Sequence, residues 1–238
     1  MSIRFEVFED DRWADEVARR WQKFMERQPV ARLCLPTGDT PRPLYEIAAH
    51  VIDFGSSEVF LLDEFCLPSG DPARCDGVFE SDFLSHLDSQ PMAVHSFDAQ
   101  ASNLEAECDR IEGLVDSGGL DLTVLGLGGN GHLGLNEPGS EADSLTRVVS
   151  LARPTKEAAT EKYGSLVEPE HGMTIGMRQI LASREIWLLV TGSHKTEILR
   201  RVLADPIGPD LPASFLRGHP NVTVFANESA AGHLIAGI

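Results

Sequence analysis

Short apolar runs alternate with amphipathic helical segments along this chain, and the alternation restricts the fold more than any other feature of the sequence. Residues 13–28 place two tryptophans, a valine and a phenylalanine at helical spacing. An apolar run over residues 30–35 follows, and then a second amphipathic segment, PLYEIAAHVIDF. Short apolar strands that alternate with helices are typical of βαβ units and a mostly parallel sheet.

The same pattern continues to the end of the chain. It predicts a strand at residues 58–62, helices near 78–87 and 101–115, and a further strand in LTVLGLG. The segments EIWLLVTG, HKTEILRRVLA and NVTVFAN then favour strand, helix and strand. The sequence therefore predicts a single α/β domain over residues 1–238, with a three-layer, Rossmann-like, mostly parallel sheet that has helices on both faces.

The charge of the chain excludes several classes of partner. Against 37 acidic residues stand 20 lysines and arginines, which leaves a net charge of −17. Binding to nucleic acid or to an anionic membrane surface depends mostly on lysine and arginine, so we expect neither partner. No apolar run approaches the length that spans a membrane. An anionic substrate would need a small, local positive site.

The four cysteines indicate the compartment. Cys34, Cys66, Cys75 and Cys108 are scattered and form no C-x-x-C pair, so we expect neither a disulfide framework nor a structural zinc site. The amino terminus lacks the apolar region of a signal peptide. These features predict a reduced, cytoplasmic protein.

In open α/β sheets, ligands bind beyond the carboxyl ends of the strands. The first predicted strand ends in PTGDTP, residues 36–41, which leads into a helix. Backbone N–H groups at the start of a helix, together with threonine hydroxyls, suit a phosphate group. The alternative is plain capping of that helix by Asp39 or Thr40, with Pro41 at its first position.

Two carboxylates, Asp63 and Glu64, follow the predicted strand at 58–62. A partly buried carboxylate has a raised pKa and can act as a general base. The alternative is an acid that starts a helix or faces solvent, which is a common role in so acidic a chain. The position at a strand exit distinguishes Asp63 from the other acids.

A glycine-rich segment over residues 126–139 surrounds His132. Its G-x-G-x-x-G spacing is a weak dinucleotide fingerprint, because no helical pattern follows it and no acid lies about 20 residues further on. The glycines, Gly128 and Gly129 among them, allow the backbone to come very close to a ligand. Glu137 lies where its carboxylate could pair with the imidazole and fix its tautomer. This setting favours a catalytic role for His132 over a structural one.

Lys195 follows another predicted strand, in the turn TGSHK. A lysine at such a turn can reach a phosphate as a mobile point charge. The alternative is a solvated lysine in the first turn of a helix, although cations are disfavoured at that end.

The chain resembles the glucosamine-6-phosphate deaminase/isomerase family, which is related in fold to the 6-phosphogluconolactonases. The resemblance covers nearly the whole length and rests on motifs in a fixed order: LPTGxTP (35–41), LDEFxLP (62–68), GHxxxNEPG (131–139), MTxG (173–176), VTGSxK (190–195) and PASxLxxH (212–219). Each motif is weak alone, and the ordered set is specific. The GHxxxNEPG block separates the deaminases from the lactonases.

The resemblance implies a reaction and a set of roles. Such enzymes open the ring of a 2-amino-2-deoxyhexose 6-phosphate, move a proton from C2 to C1 and release ammonia to leave a ketohexose 6-phosphate. By this resemblance Asp63 is the proton-transferring base, His132 the ring-opening acid and base, and Glu137 its carboxylate partner. The phosphate would be held by Thr37, Gly38, Thr40 and Lys195. No metal or organic cofactor is implied, and the oligomeric state is left open.

Three positions depart from the family pattern. Asn130 stands where the glucosamine-6-phosphate deaminases usually carry Asp, which leaves open the choice between glucosamine- and galactosamine-6-phosphate. Asp39 lies in a loop that is usually small and neutral. Lys162 is the candidate to replace a phosphate-binding arginine.

Two other functions remain as alternatives. One is hydrolysis of a lactone on the same fold, in the manner of a 6-phosphogluconolactonase. The other is a sugar-phosphate-binding domain without catalysis. The joint presence of Asp63, His132, Glu137 and Lys195 favours the deaminase, because binding alone would not need a base and a His–Glu pair.

Overall fold

The computed structural model describes residues 3–232, without the side chain of Lys162. Its centre is a seven-stranded sheet in which every neighbouring pair is parallel. The strand order is β1-β10-β9-β6-β2-β3-β5. The strands are β1 (Arg4–Phe8), β2 (Arg32–Leu35), β3 (Glu58–Leu61), β5 (Ala93–His95), β6 (Leu122–Gly126), β9 (Glu185–Val190) and β10 (Val222–Asn227).

Helices cover both faces of this sheet. The helices within residues 3–232 are α1 (Trp13–Arg27), α2 (Arg42–Val51), α3 (Cys75–Asp82), α4 (Leu104–Asp116), α5 (Arg153–Glu157), α6 (Met177–Leu181), α7 (Thr196–Ala204) and α8 (Glu228–Ala231). One buried apolar cluster joins the sheet to α1, α2 and α3. A second joins it to α4, α6 and α7. The predicted three-layer α/β fold is therefore confirmed.

A second, antiparallel sheet lies beside the first and was not predicted. It contains β4 (Asp63–Phe65), β8 (His171–Thr174) and β7 (Arg147–Ser150), in that order. The predicted strand at 58–62 is corrected here, because β3 ends at Leu61 and the chain enters β4 at Asp63. Asp63 pairs with Thr174, so the candidate base lies on a strand and not in a loop.

Helix boundaries also differ from the expected ones, for identifiable reasons. α4 begins at Leu104 because the side chain of Asn103 accepts a hydrogen bond from the N–H of Ala106. The helix expected at 78–87 begins instead at Cys75, and a 3₁₀ turn, Leu84–His86, follows it. α2 has Pro41 at its N-cap and no side-chain cap, so neither Asp39 nor Thr40 caps it.

The structure also bears on two expectations from the sequence, which concern membrane-spanning segments and disulfide bonds. No helix within residues 3–232 is both long enough and apolar enough to cross a membrane. All four cysteines are free thiols.

Candidate active site

A cavity of about 570 Å³ opens at the carboxyl ends of β2, β3, β6 and β9. The structure brings most of the predicted site residues to this one pocket. The lining includes Thr37, Gly38, Asp39, Thr40, Asp63, Gly128, Gly129, Asn130, His132 and Lys195. The pocket has two ends. The acid–base end consists of Asp63, Asn130 and His132, together with Glu137, and the anion end consists of residues 36–41 and Lys195.

Asn130 connects His132 to Glu137. The Oδ1 atom of Asn130 lies 2.7 Å from Nδ1 of His132 and also accepts a hydrogen bond from its backbone N–H. The Nδ2 group of Asn130 donates to Oε2 of Glu137 at 2.8 Å. The direct distance from Nδ1 of His132 to Oε2 of Glu137 is longer, 3.4 Å. The carboxylate–imidazole pair expected from the sequence therefore contains an amide between its partners.

This arrangement determines the tautomer of the neutral imidazole. The amide of Asn130 must present its NH₂ group to Glu137. In the opposite orientation, the amide oxygen of Asn130 and the carboxylate oxygen of Glu137, both acceptors, would lie 2.8 Å apart. Oδ1 of Asn130 is then the acceptor for His132, and Nδ1 must carry the proton. In the neutral ring the lone pair is consequently on Nε2, which is the nitrogen able to take a proton.

Glu137 is held as an anion. Burial raises the pKa of its carboxyl group, but the His132 side chain 3.4 Å away, with hydrogen bonds from Thr155 and Asn130, more than offsets this and lowers the pKa to about 2. A permanent negative charge thus faces the imidazole and stabilises it when it takes up a proton.

The close packing of the imidazole requires glycine at position 128. A Cβ atom on Gly128 would lie 2.4 Å from atoms of the His132 ring, which is closer than any real contact. The ring therefore lies directly against the backbone of the loop that follows β6. The segment after Gly131 forms a turn and no helix, in agreement with the weak dinucleotide fingerprint.

Asp63 supplies a second proton-transfer group to the same pocket. Burial raises the pKa of its carboxyl group to about 6, although the charge of His132 and a hydrogen bond from Cys75 act in the opposite direction. A carboxylate with a pKa near 6 is a stronger base than an exposed aspartate and is still mostly ionised at neutral pH.

The neighbouring carboxylate, Glu64, has a structural role. Its side chain is fully buried and accepts hydrogen bonds from the backbone N–H groups of Phe65, Cys75 and Asp76. Two of these groups are the first of α3, so Glu64 explains why that helix begins at Cys75. Successive side chains of a strand point to opposite sides, which separates the two acids.

The anion end consists of a loop, hydroxyl groups and a lysine. The hydroxyls of Thr40 and Thr191 lie 3.5 Å apart, which links the loop after β2 to the turn that carries Lys195. The carboxylate of Asp39 lies 3.3 Å from the guanidinium of Arg42, which also pairs with Asp82 at 2.9 Å, so two carboxylates share this cation. The side chain of Lys162 lies outside the described part of the structure.

Sequence reasoning missed three residues with polar side chains that line the pocket: Thr155, Tyr163 and Cys75. The hydroxyl of Thr155 donates a hydrogen bond to Oε1 of Glu137. The hydroxyl of Tyr163 lies 3.3 Å from the place of a Cβ atom on Gly38, whose φ of +114° itself favours glycine. None of the three belongs to a motif considered from the sequence, so no local signal distinguished them.

Comparison with known proteins shows the family to which this chain belongs. A family model described as glucosamine-6-phosphate isomerases/6-phosphogluconolactonase matches residues 10–225. Glucosamine-6-phosphate deaminase 1 of Bacillus subtilis is 39% identical over 215 residues, which cover 87% of this chain and 89% of that protein. The glucosamine-6-phosphate deaminase of Pseudarthrobacter chlorophenolicus is 37% identical over 220 residues, which cover 90% of this chain and 85% of that protein.

Solved structures give the same result. A structure described as a monomeric glucosamine-6-phosphate deaminase superposes with a TM-score of 0.90 at 35% identity, over 97% of this chain and 99% of that chain. The 6-phosphogluconolactonase of Thermotoga maritima superposes with a TM-score of 0.78 at 23% identity, over 94% of this chain and 99% of that chain, which is a likeness of fold alone. This chain therefore belongs to the family of glucosamine-6-phosphate isomerases and 6-phosphogluconolactonases.

Proposed function

We propose that this protein converts a 2-amino-2-deoxyhexose 6-phosphate and water into a ketohexose 6-phosphate and ammonia. The observation that carries the proposal is the joint presence, in one pocket, of a carboxyl group with a pKa of about 6 and an imidazole whose Nδ1 is bonded to Asn130. The reaction needs two separate proton-transfer groups, one for ring opening and one for the C2 proton.

His132 opens the sugar ring. Its Nε2 atom takes the proton of the C1 hydroxyl and returns a proton to the ring oxygen, while the bond between C1 and the ring oxygen breaks. The imidazolium formed in between is stabilised by the anion of Glu137, 3.4 Å from Nδ1. Asn130 holds the ring in the required tautomer during this exchange.

Asp63 moves the carbon-bound proton. Its carboxylate takes the proton from C2 of the open-chain sugar, and the electrons of that bond form the C1=C2 bond of an enolamine. The electrons of the C1=O double bond move to the C1 oxygen, which takes a proton from the C2 ammonium group. Asp63 then delivers its proton to C1, which leaves an iminium group at C2. Water adds to C2 and gives a proton to the nitrogen; the C2–N bond breaks as ammonia departs, and loss of the second water proton leaves the C2 ketone.

The anion end holds the 6-phosphate away from the reacting carbons. The loop after β2 offers backbone N–H groups and threonine hydroxyls, and Lys195 offers a cation. The guanidinium of Arg42, shared between Asp39 and Asp82, offsets part of the repulsion that the Asp39 carboxylate would exert on the phosphate. The phosphate would therefore have hydroxyls, backbone N–H groups and the Lys195 cation as neighbours, with Asp39 beside them, in a protein whose net charge is −17.

Ammonia release is the direct test of this function. Purified protein is offered glucosamine-, galactosamine- and mannosamine-6-phosphate, and ammonia and ketohexose phosphate are measured. We expect both products in equal amounts from at least one epimer. No ammonia from any of them, with opening of a 6-phosphogluconolactone instead, would replace this proposal with the lactonase. Binding of all of them without any turnover would indicate a sugar-phosphate-binding domain.

Asn130 is the residue through which we propose that the epimer is selected. In an Asn130→Asp variant, two carboxylates would meet where the amide now donates to Glu137 at 2.8 Å. Like charges raise the pKa of such a pair, so a second ionisation should appear in the pH profile of the rate, in addition to that of Asp63. We expect the ratio of rates on the glucosamine and galactosamine substrates to change as well. Unchanged ratios and an unchanged pH profile would remove Asn130 from this role.

We also propose a cytoplasmic location. The four cysteines are free thiols, and three of them, Cys34, Cys75 and Cys108, are buried. Fractionation of the native cells should find the protein with the cytoplasmic enzymes, and recovery from an exported fraction would contradict this.

A further inference from the structure

The carboxylate of Glu137 uses its two oxygens for different partners. Oε2 accepts from the amide of Asn130 at 2.8 Å and lies 3.4 Å from Nδ1 of His132. Oε1 accepts a hydrogen bond from the hydroxyl of Thr155. The two contacts hold different oxygens of the carboxyl group, so together they restrict its rotation about the last side-chain bond.

Thr155 comes from a different part of the chain. It belongs to α5, and the hydrogen bond to Glu137 spans 18 residues. The side chain is buried, at 8% exposure, and lines the same pocket as Asp63 and His132. A threonine hydroxyl in a helix commonly bonds to a backbone carbonyl of the preceding turn. Here it donates to a carboxylate across the pocket wall.

We propose that Thr155 is a positioning residue that aligns Glu137 with Asn130 and His132. The role rests on the proposed function, because alignment matters only if His132 exchanges protons with a substrate. Thr155 acts through Glu137 and need not touch the reacting atoms. Without its hydroxyl, Oε1 loses one fixed donor and the carboxylate gains freedom to rotate. The amide of Asn130 then loses its fixed acceptor and can change its own orientation. Because that orientation determines which nitrogen of His132 carries the proton, the tautomer of His132 becomes less well defined.

The first experiment compares substitutions at position 155 with one in the same segment. Thr155→Val keeps the shape and removes the hydroxyl, while Thr155→Ser keeps the hydroxyl. Thr160→Val is the matched control, because the Thr160 hydroxyl donates hydrogen bonds to the backbone carbonyls of Lys156 and Glu157, at 3.2 and 3.1 Å. We expect kcat to fall roughly tenfold in Thr155→Val with little change in KM, since a hydrogen bond to a charged group is lost. Thr155→Ser should retain most of the activity, and Thr160→Val should match the wild type.

A second measurement does not depend on turnover. The Glu137 carboxyl carbon is titrated by NMR, and its signal is assigned with the Glu137→Gln variant. In the wild type the pKa of Glu137 should be about 2, since the surrounding hydrogen bonds and charge lower it. His132 is the titratable group that faces this carboxylate, and Thr155 and Asn130 are neutral. Loss of the hydroxyl should raise the pKa of Glu137 by about one unit. If Thr155→Val does not fold, Thr155→Ala is used, because removal of the side chain introduces no clash.

A double-mutant cycle shows whether Thr155 acts through Glu137. In a Glu137→Ala background there is no carboxylate to align, so adding Thr155→Val should change kcat by less than about twofold. A wild-type kcat in Thr155→Val, an unchanged Glu137 titration, or a further large loss in the double mutant would overturn the proposal. If the wild type releases no ammonia, the proposed function fails while the titration still decides whether Thr155 holds Glu137.

Discussion

The two ends of the pocket are constructed differently. At the acid–base end, side chains bond to one another: Thr155 to Glu137, Glu137 to Asn130, and Asn130 to His132. At the anion end, the lining consists of a glycine- and threonine-containing loop and one lysine at a turn. The first end is a preorganised set of charges and hydrogen bonds, whereas the second mainly offers donors to a ligand.

This difference separates two kinds of effect. Groups that exchange protons with the substrate act on the chemical step, so their loss should appear in kcat. Groups that hold the phosphate act on bound substrate and transition state alike, so their loss should appear mainly in KM. Substitutions at the two ends of the pocket test whether the effects on kcat and on KM separate in this way.

The largest effect is expected from Asp63→Asn. The variant keeps the size of the side chain and removes the base, so kcat should fall by about 10³-fold or more while KM changes little. Steady-state kinetics with the preferred hexosamine 6-phosphate measure both constants. Inhibition by inorganic phosphate is the control and should be unchanged, because it reports the anion end. A variant that loses phosphate binding as well as kcat would contradict the separation of the two ends.

The next effect is expected at the anion end, from Lys195→Met. Removal of the ammonium group should raise KM about 30-fold and leave kcat within a few-fold of the wild type, because a charge-assisted contact to phosphate is lost. Lys23→Met on the exposed side of α1 is the matched control for loss of one positive charge. Equal effects of the two substitutions would show that Lys195 acts only through the net charge.

The pH dependence of kcat should follow the ionisation of the Asp63 carboxyl group. Since burial raises the pKa of its carboxyl group to about 6, kcat should rise with pH up to about 6 and level off above it, with roughly a tenfold loss for each unit below. The substrate phosphate also ionises near this pH. Asp63→Glu distinguishes the two, because only a limb that belongs to residue 63 should move in that variant. A profile that is flat from about pH 5 to 7 would contradict the assignment.

The last effect is on stability, and it has the opposite sign to the effect on activity. Burial raises the pKa of Asp63 from 3.8 to about 6, so the ionised carboxylate costs the folded state about 2–3 kcal/mol above pH 6. Asp63→Asn should therefore increase the free energy of unfolding at about pH 7. The gain should shrink between about pH 6 and 4 and vanish below, where the carboxyl group is protonated in both states. Urea unfolding of both proteins at about pH 4 and 7 measures it, and a gain independent of pH would contradict this cause.

The parallel sheet and the position of the pocket could be predicted from the sequence. Strand β9 is an unbroken apolar run, and such a run is a strong signal for a strand buried on both faces. Because the carboxyl ends of parallel strands meet at one edge, Asp63, His132 and Lys195 could be placed together from their positions after three strands.

The second sheet and the bonds within the site could not be predicted in this way. β4 has three residues and β7 and β8 have four each, which is too short for a periodic pattern. The amide between His132 and Glu137 depends on the turn that follows Gly128, and turns are not specified by residue type alone. Thr155 reaches Glu137 only because α5 packs against the pocket, which is a tertiary contact.

Proton transfer from solvent into the product tests the central claim most directly, namely that Asp63 moves the C2 proton while the anion end holds the substrate. The protein is incubated in deuterium oxide with the hexosamine 6-phosphate that it turns over, and deuterium at C1 of the ketohexose phosphate and at C2 of recovered substrate is measured by NMR. We predict deuterium at one or both carbons with the wild type and none at either with Asp63→Asn, although that variant still binds inorganic phosphate. Exchange that persists in Asp63→Asn would contradict the account.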